Sequence, residues 1–309
     1  MRVAAIDCGT NSIRLLVADA GDGGLVDVVR EMRVVRLGEG VDRSGRLGAA
    51  ALERTRLALS EYAATITAHG TERVRMVATS AIRDAGNREM FVAMVLAALG
   101  VEPEVITSAE EAALSFAGAV NALPGVTGPV LVADIGGGST ELVRGDASAP
   151  RPLHCHSMDV GCVRMTERHL RDDPPTRQQV RATVEDVRAA ITTAATEVAT
   201  TAPATFVGVS GTVTTLAAIA LGLDRYDAAA IHGSTLSAAQ VNDITARLLV
   251  MTHAERAALP VLHPGRVDVI GAGALVLRTL IEAVGAGEVI VSEHDILDGI
   301  AVSLLRPGG

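Results

Sequence analysis

Two short stretches of acidic, glycine and hydroxyl residues have the composition of phosphate-binding turns. The first is Asp7-Cys8-Gly9-Thr10-Asn11-Ser12, and the second is Asp134-Ile135-Gly136-Gly137-Gly138-Ser139-Thr140-Glu141. Each lies between two apolar runs, which predicts a strand, a tight turn and a second strand. Such a turn directs backbone N–H groups and hydroxyls at one point, where they can bind phosphate oxygens. The aspartate at the end of the first strand can hold Mg²⁺ beside that phosphate.

The two turns do not argue equally strongly for a ligand. The first would also suit an ordinary β-hairpin. The three consecutive glycines of the second, Gly136 to Gly138, give more backbone freedom than a hairpin needs. Glycine weakens a strand unless another group must come close to the backbone. The repetition suggests one phosphate held from two sides, in a cleft between two related domains.

Three further stretches carry polar residues at predicted strand ends or helix starts. Thr79-Ser80-Ala81-Ile82-Arg83 follows a strand, and its arginine could bind phosphate or be a solvated surface charge. Ser210-Gly211-Thr212 begins a predicted helix, whose free N–H groups suit either an anion or an ordinary helix cap. Glu110 and Glu111 begin another helix, where the helix dipole alone favours acidic residues.

Composition excludes several kinds of protein. A net charge of −9 and 2% aromatic residues argue against a nucleic-acid partner. The absence of lysine excludes a Walker A loop and a Schiff-base mechanism, so cationic phosphate contacts must come from arginine. The three cysteines fit a reducing cytoplasm, and the apolar runs are too short to span a bilayer. We therefore expect a cytoplasmic protein without a membrane or nucleic-acid partner.

Strand-like and helix-like segments alternate in both halves of the chain, which predicts an α/β protein with mixed sheets. A stretch rich in proline and glycine, 124–129, predicts a boundary between domains 1–125 and 126–309. Strands are predicted at 3–6, 13–18, 25–35, 74–79, 101–106, 130–134, 141–143, 153–158, 205–209 and 288–291. Helices are predicted at 48–69, 90–99, 108–123, 177–200, 210–221, 238–251, 254–259, 267–284 and from 295 onward.

In this order the pieces resemble the exopolyphosphatase / guanosine pentaphosphate phosphohydrolase family of the actin-like ATPase superfamily. The resemblance rests on the stretches above, on Gly161-Cys162-Val163-Arg164, on Gly208 to Thr212 and on the segment from Ser292 to Gly299. It is closest to the short two-domain members. It implies two actin-like (ribonuclease H-like) domains with mixed sheets flanked by helices, and an active site in the interdomain cleft.

The resemblance also implies roles for particular residues. Glu111 takes the position of the catalytic glutamate, Arg83 that of a phosphate-binding arginine and Asp134 that of the metal-associated aspartate. Asp7 and Glu141 are expected beside the metal ion. The implied substrate-binding residues are Gly9, Thr10, Asn11, Ser12, Gly136, Gly137, Gly138, Ser139, Ser210, Gly211 and Thr212. Arginines that could form a positive track in this acidic protein are Arg83, Arg88, Arg164, Arg168 and Arg266.

The implied activity is Mg²⁺-dependent hydrolysis of the terminal phosphoanhydride of inorganic polyphosphate, with Glu111 as general base. Guanosine pentaphosphate (pppGpp) ends in the same bond, so a pppGpp 5'-phosphohydrolase is an open alternative. A kinase of the same superfamily would need an adenosine pocket and an acceptor pocket. A non-catalytic sensor of polyphosphate or (p)ppGpp is the remaining alternative. A homodimer is expected.

Overall fold

Two mixed β-sheets form the framework of the protein, one in each of two units of the chain. The computed structural model describes residues 1–21, 24–123, 125–148, 152–200 and 205–305. Unit 1 comprises Met1–Gly118 together with the segment from Ile296, and unit 2 comprises Ala119–Asp295. Among the described residues, no helix is both long enough and apolar enough to cross a bilayer.

Unit 1 is built on a five-stranded sheet in the order β3-β2-β1-β4-β5. Strand β1 is antiparallel to β2 and parallel to β4. The strands are β1 (Arg2–Cys8), β2 (Ser12–Gly21), β3 (Gly24–Val34), β4 (Arg73–Ala78) and β5 (Glu104–Val105). The helices before the second sheet are α1 (Val41–Ser44), α2 (Ala49–Ala68), α3 (Ser80–Asp84), α4 (Arg88–Leu99) and α5 (Ser108–Asn121).

Unit 2 is built on a six-stranded sheet in the order β8-β7-β6-β9-β11-β10. Its strands are β6 (Pro129–Ile135), β7 (Thr140–Asp146), β8 (His154–Met158), β9 (Thr205–Val209), β10 (Thr235–Ser237) and β11 (Glu288–Val291). Its helices are α6 (Cys162–Arg168), α7 (Arg177–Ala194), α8 (Ser210–Ala220), α9 (Ala228–Ile231), α10 (Ala238–Val250), α11 (His253–Ala257) and α12 (Ile270–Val284).

The two sheets share one topology. In each, the first strand pairs antiparallel with the second and parallel with the fourth, so β6, β7 and β9 correspond to β1, β2 and β4. The third strand lies beyond the second in both sheets. The internal repeat that is visible in the sequence only at the two turns therefore extends through four strands of each sheet.

The sheet of unit 1 is covered by helices on both faces. Successive side chains of a strand point to opposite sides of the sheet, and in this sheet both sides carry apolar side chains. Ile6 and Leu15 pack with residues of α2 and α4, such as Leu59 and Phe91. The opposite face, which includes Val3, Ala5, Leu16 and Val77, packs against the last helix, α13 (Ile296–Ser303). The core of unit 2 lies mainly between β6, β9 and the helices α7, α8, α10 and α12.

The compact units differ from the predicted domains in two places. Residues 119–125 fall in unit 2, and the segment from Ile296 falls in unit 1. The second difference arises because the apolar residues of α13, including Ile300, cover the sheet of unit 1. Helical periodicity in a sequence identifies an apolar face but not the sheet that the face covers. The predicted linker at 124–129 includes Pro124, which lies outside the described residues.

The elements predicted from periodicity are present, although the strand predicted at 101–106 is reduced to β5. The sequence analysis missed α1, α3, α6, α9 and β10. These elements have three to seven residues. Such short elements do not complete enough periods for a pattern of apolar residues to identify them.

Candidate active site

The two predicted phosphate-binding turns have the same local structure. In the first, Gly9 N donates to Ser12 O at 3.0 Å between β1 and β2. In the second, Gly136 N donates to Ser139 O, also at 3.0 Å, between β6 and β7. Each turn thus closes an antiparallel hairpin with one backbone hydrogen bond, at corresponding places in the two sheets.

The carbonyls of the triple-glycine turn are bound from one side by α6. The Gly136 and Gly137 carbonyl oxygens accept hydrogen bonds of 2.9 Å from the first N–H groups of α6, and the Gly138 oxygen accepts one of 2.7 Å from Arg164 Nε. In a planar trans peptide, the C=O and the following N–H point in opposite directions. The three N–H groups from Gly137 to Ser139 therefore point away from α6 and can face an anion.

The turn in unit 1 is bound in the same way by the segment after β3. Thr10 O accepts from Gly38 N at 2.8 Å, and Asn11 O accepts from Arg36 N at 2.8 Å. The N–H groups of Asn11 and Ser12 consequently point away from this segment. Both turns thus present consecutive backbone donors on the side opposite their carbonyl contacts.

A glycine lies behind each turn, at a place with no room for a side chain. A Cβ on Gly161 would lie 2.4 Å from Gly137 O, and a Cβ on Gly38 would lie 2.2 Å from Thr10 Cγ2. Real Cβ atoms do not approach other atoms this closely, so a side chain at residue 161 would displace the backbone of the second turn, and one at residue 38 would displace the Thr10 side chain. Sequence reasoning did not assign a role to either glycine.

The charge opposite the aspartate distinguishes the two turns. Asp7 lies opposite Arg14, whose Nε and Nη2 donate to Asp7 Oδ2 at 3.0 and 2.7 Å. Asp134 lies opposite Glu141, and both are buried, with exposures of 7% and 1%. Residues directly opposite in an antiparallel pair have side chains on the same face, so the second turn carries two neighbouring carboxylates.

Asp134 and Glu141 fit a divalent cation better than Asp7 does. Mg²⁺ is usually held by one or two carboxylates plus phosphate oxygens and water, and a cation would relieve the repulsion between two adjacent carboxylates. Ser157 Oγ donates to Glu141 Oε1 at 2.7 Å and fixes that carboxylate. The metal-site role of Asp7 stays a prediction, with its Oδ2 bound by Arg14. The described residues contain no cluster of three or more acidic, histidine or cysteine side chains that could hold a metal ion.

The strand beside each turn ends in a hydroxyl residue. Thr79 follows β4, and its N–H donates to Cys8 O at 3.2 Å. Ser210 follows β9, whose Val209 is paired with Asp134, and has a left-handed φ of 75°. The predicted residues Ser210, Gly211 and Thr212 are therefore at the same end of the sheet as the triple-glycine turn.

The predicted arginine track is formed only in part. The Arg266 guanidinium lies against Gly211, where a Cβ would be 2.2 Å from Arg266 Cζ, so it covers the first turn of α8. Arg164 is bound to Gly138 O, and Arg168 Nη1 donates to Asp186 Oδ2 at 3.0 Å. Arg88 is exposed on α4. Arg83, Arg164 and Arg266 are thus the arginines of this set that lie beside predicted site residues, with Arg164 on the carbonyl side of the triple-glycine turn.

Glu111 is buried on α5 and forms an ion pair with Arg83. Arg83 Nη1 donates to Glu111 Oε2 at 2.5 Å and to Ile106 O at 3.2 Å. Burial raises the pKa of the Glu111 carboxyl, and the negative charge of Asp7 adds to this effect. The Arg83 charge and hydrogen bonds from Arg83 and Thr79 lower the pKa, but the net direction is upward. A carboxylate with a raised pKa is suited to accept a proton.

The structure brings together some predicted residues and leaves others apart. In unit 1 it groups Asp7, Thr79, Arg83 and Glu111 with the first turn, and in unit 2 it groups Asp134, Glu141 and Ser210–Thr212 with the second. Arg14 is a site residue that sequence reasoning missed. Arg14 lies as many residues after Asp7 as Glu141 lies after Asp134. An alignment of the two turns would therefore have identified Arg14.

Comparison with known proteins gives matches along almost the whole chain. The family model described as the Ppx/GppA phosphatase family matches residues 16–307. A Mycobacterium tuberculosis protein named Exopolyphosphatase 2 is 52% identical over 316 residues, covering 98% of each chain. A Vibrio vulnificus protein named guanosine-5'-triphosphate,3'-diphosphate pyrophosphatase is 28% identical over 304 residues, covering 98% of this chain and 59% of its own length.

Solved structures are similar over the same extent. A crystal structure described as an exopolyphosphatase-like protein has a TM-score of 0.93 at 44% identity, with 98% of both chains covered. A Ppx/GppA family member from Aquifex aeolicus has a TM-score of 0.83 at 33% identity, with 99% of this chain and 97% of that chain covered. The predicted α/β fold class, an actin-like fold with two mixed sheets flanked by helices, is confirmed.

Replacement of Gly161 by alanine should distort the triple-glycine turn. The new methyl group would meet the Gly137 carbonyl, and we expect about 1–3 kcal/mol of destabilisation in urea unfolding, typical of overpacking. Phosphate release should fall as well. The matched control is Gly287→Ala, since a Cβ there meets nothing within 4 Å. Equal effects of the two substitutions would contradict the close contact.

Proposed function

The chain belongs to the Ppx/GppA phosphatase family, and we propose that it releases orthophosphate from the end of inorganic polyphosphate. The observation that carries the proposal is the duplicated turn, with consecutive N–H groups directed away from bound carbonyls. Phosphoryl transfer depends mainly on positioning the phosphoryl group and neutralising its charge. Two such turns supply hydrogen-bond donors for both purposes.

The terminal phosphate of the substrate is the ligand of these turns in our proposal. The donors are the N–H groups of residues 11–12 and 137–139, with the side chains of Asn11, Ser12 and Ser139. Ser210, Gly211 and Thr212 add the start of α8, where Arg266 supplies a positive charge beside the helix N–H groups. That both turns bind one phosphate in a cleft between the domains remains a prediction.

Ppx/GppA phosphatases are generally dependent on a divalent metal ion, and we propose Mg²⁺ for this chain. Asp134 and Glu141 would hold it, because their carboxylates are adjacent and buried beside the triple-glycine turn. When bound, the ion would neutralise negative charge on the phosphate oxygens. Asp7 then serves a different purpose, since its carboxylate is held by Arg14 and raises the pKa of Glu111.

Glu111 is the general base of the proposed reaction. Its carboxylate takes a proton from water as the water oxygen bonds to the terminal phosphorus. The bond between that phosphorus and the bridging oxygen breaks, orthophosphate leaves, and the bridging oxygen stays on the shortened chain. Burial supports this role, since it disfavours the charged carboxylate and so favours proton uptake. The Arg83 contact orients the carboxylate and places a cation near the developing negative charge.

The second substrate to consider is pppGpp, because family relatives such as the Vibrio protein are named for a guanosine phosphate. We propose polyphosphate rather than pppGpp as the main substrate because the relative at 52% identity is named an exopolyphosphatase. A kinase would transfer phosphate only in the presence of an acceptor, and a sensor would bind without turnover. Cytoplasmic location and a homodimer also remain predictions.

The test of the proposed function is orthophosphate release from polyphosphate by the wild-type chain and by Glu111→Gln. The amide keeps the shape of the side chain but cannot take the proton, so kcat should fall by about 10²-fold or more. Binding of polyphosphate should persist. Release from short polyphosphate, long polyphosphate, pppGpp and ATP should be compared in one assay.

The matched control for this test is Glu110→Gln. Glu110 is adjacent in sequence, and its Oε1 accepts a 2.7 Å bond from Arg75, which an amide oxygen can also accept. We expect it to retain wild-type turnover. Near-normal turnover in Glu111→Gln would remove Glu111 from the role of base, and binding without release in the wild type would favour the sensor.

The pH dependence of kcat/KM should reflect the raised pKa of Glu111. The base acts only when deprotonated, so activity should fall as the pH drops through a value above the ordinary pKa of glutamate. Thr79→Val removes a hydrogen bond that lowers this pKa, so the acid limb should move to higher pH. The control Thr55→Val removes a buried hydroxyl bound to Ala51 O and should leave the limb in place. A shift to lower pH would contradict the assignment.

Removal of one proposed metal ligand should change the requirement for Mg²⁺. Asp134→Asn should raise the half-saturating Mg²⁺ concentration by at least about 10-fold. Mutation of residues that only hydrogen-bond to a metal ligand already weakens metal affinity by about that factor. Asp7→Asn should change it far less, because Arg14 holds that carboxylate. Titration of orthophosphate release with Mg²⁺ measures both. A larger shift for Asp7→Asn would reverse the assignment.

A further inference from the structure

We infer that Gly299 and Asp298 of α13 are positioning residues that fix where α5 holds the carboxylate of Glu111. The inference rests on the proposed role of Glu111 as base. Both helices contribute to unit 1, and neither Gly299 nor Asp298 belongs to the turns proposed to bind substrate. Their effect on the reaction would therefore pass through α5.

The backbones of α13 and α5 are in direct contact at Gly299. A Cβ on Gly299 would lie 2.1 Å from the carbonyl oxygen of Leu114, 2.7 Å from its carbonyl carbon and 3.0 Å from its Cα. Every one of these neighbours is a backbone atom, so no change of rotamer could make room. The absence of a side chain at residue 299 therefore sets the distance between the two helices.

The contact point on α5 lies one turn from Glu111. Residues three apart in a helix are on the same side, about one turn along the axis. Because the turns of a helix are linked by hydrogen bonds, a shift of the backbone at Leu114 would be passed to residue 111. The 2.5 Å contact of Glu111 with Arg83 is short enough that such a shift would change the carboxylate's position and orientation.

Helix α13 is held against movement by its own contacts. Asp298 is buried and accepts two bonds from Arg30, from Nη2 at 2.5 Å and from Nη1 at 3.3 Å. Arg30 Nε also donates to Asp27 Oδ2 at 2.7 Å, and the two carboxylates raise the pKa of Arg30. At the other end of α13, Arg73 Nη1 donates to Leu304 O at 2.6 Å.

The side of α13 that faces the sheet is also fixed by packing. Leu297 and Ile300 are fully or almost fully buried against Val3, Ala5 and Val77. A residue larger than glycine at 299 would therefore displace α5 more readily than α13. Asp298 and Gly299 thus act together, since the ion pair fixes the rotation of α13 and the glycine fixes its distance from α5.

The experiment is Gly299→Ala with kcat and KM measured separately on short polyphosphate. We expect kcat to fall by about 10-fold or more, because displacement of a catalytic group by about 1 Å can cost up to 10²-fold. KM should stay within about twofold. The matched control is the helical glycine variant Gly271→Ala, since a Cβ there would meet only Leu249 Cδ2 at 3.6 Å. It should leave both constants unchanged.

A second pair of variants keeps the test valid if Gly299→Ala does not fold. Arg30 is partly exposed, and Arg30→Met removes its contact with Asp298, whereas Arg30→Lys keeps one charged donor. We expect kcat to fall in Arg30→Met, at unchanged KM, and to be largely retained in Arg30→Lys. Wild-type kcat in a folded Gly299→Ala, or in Arg30→Met, would overturn the inference. A rise in KM at constant kcat would also overturn it.

The double variant Glu111→Gln/Gly299→Ala separates this inference from the proposed function. If Gly299 acts through Glu111, the second change should cause no further loss of kcat once the base is gone. A further loss equal to that of Gly299→Ala alone would mean that Gly299 acts by another route. Wild-type turnover in Glu111→Gln would instead refute the proposed function, whatever Gly299→Ala does.

Discussion

The hydrogen bonds that occupy the turn carbonyls are the constraint on which both glycine-containing turns depend. The start of α6 binds the carbonyls of the triple-glycine turn, and the segment after β3 binds those of Thr10 and Asn11. With the carbonyls bound on one side, the planar peptide leaves the N–H groups on the other. Gly161 and Gly38 allow these approaches because neither has a side chain. The donors are thus preorganised by the fold, so the ligand does not have to order them.

The residue opposite the aspartate is positively charged in one unit and negatively charged in the other. This single position makes the two turns chemically different. Arg14 neutralises Asp7 in unit 1, whereas Glu141 adds a second carboxylate to Asp134 in unit 2. A single framework therefore gives one turn whose aspartate is paired with an arginine and another whose aspartate lies opposite a second carboxylate. The repeated topology of the sheets explains how the two could diverge in chemistry while they keep one geometry.

The sequence predicted the strands, the long helices and both turns, because each has a local pattern. Acidic, glycine and hydroxyl residues at strand ends identified the turns at Gly9 and Gly136, and periodicity identified α2, α7 and α12. The residues behind the turns could not be found in this way, since Gly38 and Gly161 are distant in sequence from the turns that they contact. Likewise, the face that α13 covers depends on tertiary packing, which a single-sequence pattern does not contain.

The environment of Glu111 combines opposing effects on the pKa of its carboxyl. Burial and the charge of Asp7 favour the protonated carboxyl, whereas Arg83 and Thr79 favour the carboxylate. Burial alone would favour the neutral form of the carboxyl, and the neighbouring cation favours the charged form. Asp7, at the start of the first turn, is itself paired with Arg14, so the first turn contributes to this balance. The position of α5 completes the balance, because each of these effects depends on its distance from the carboxylate.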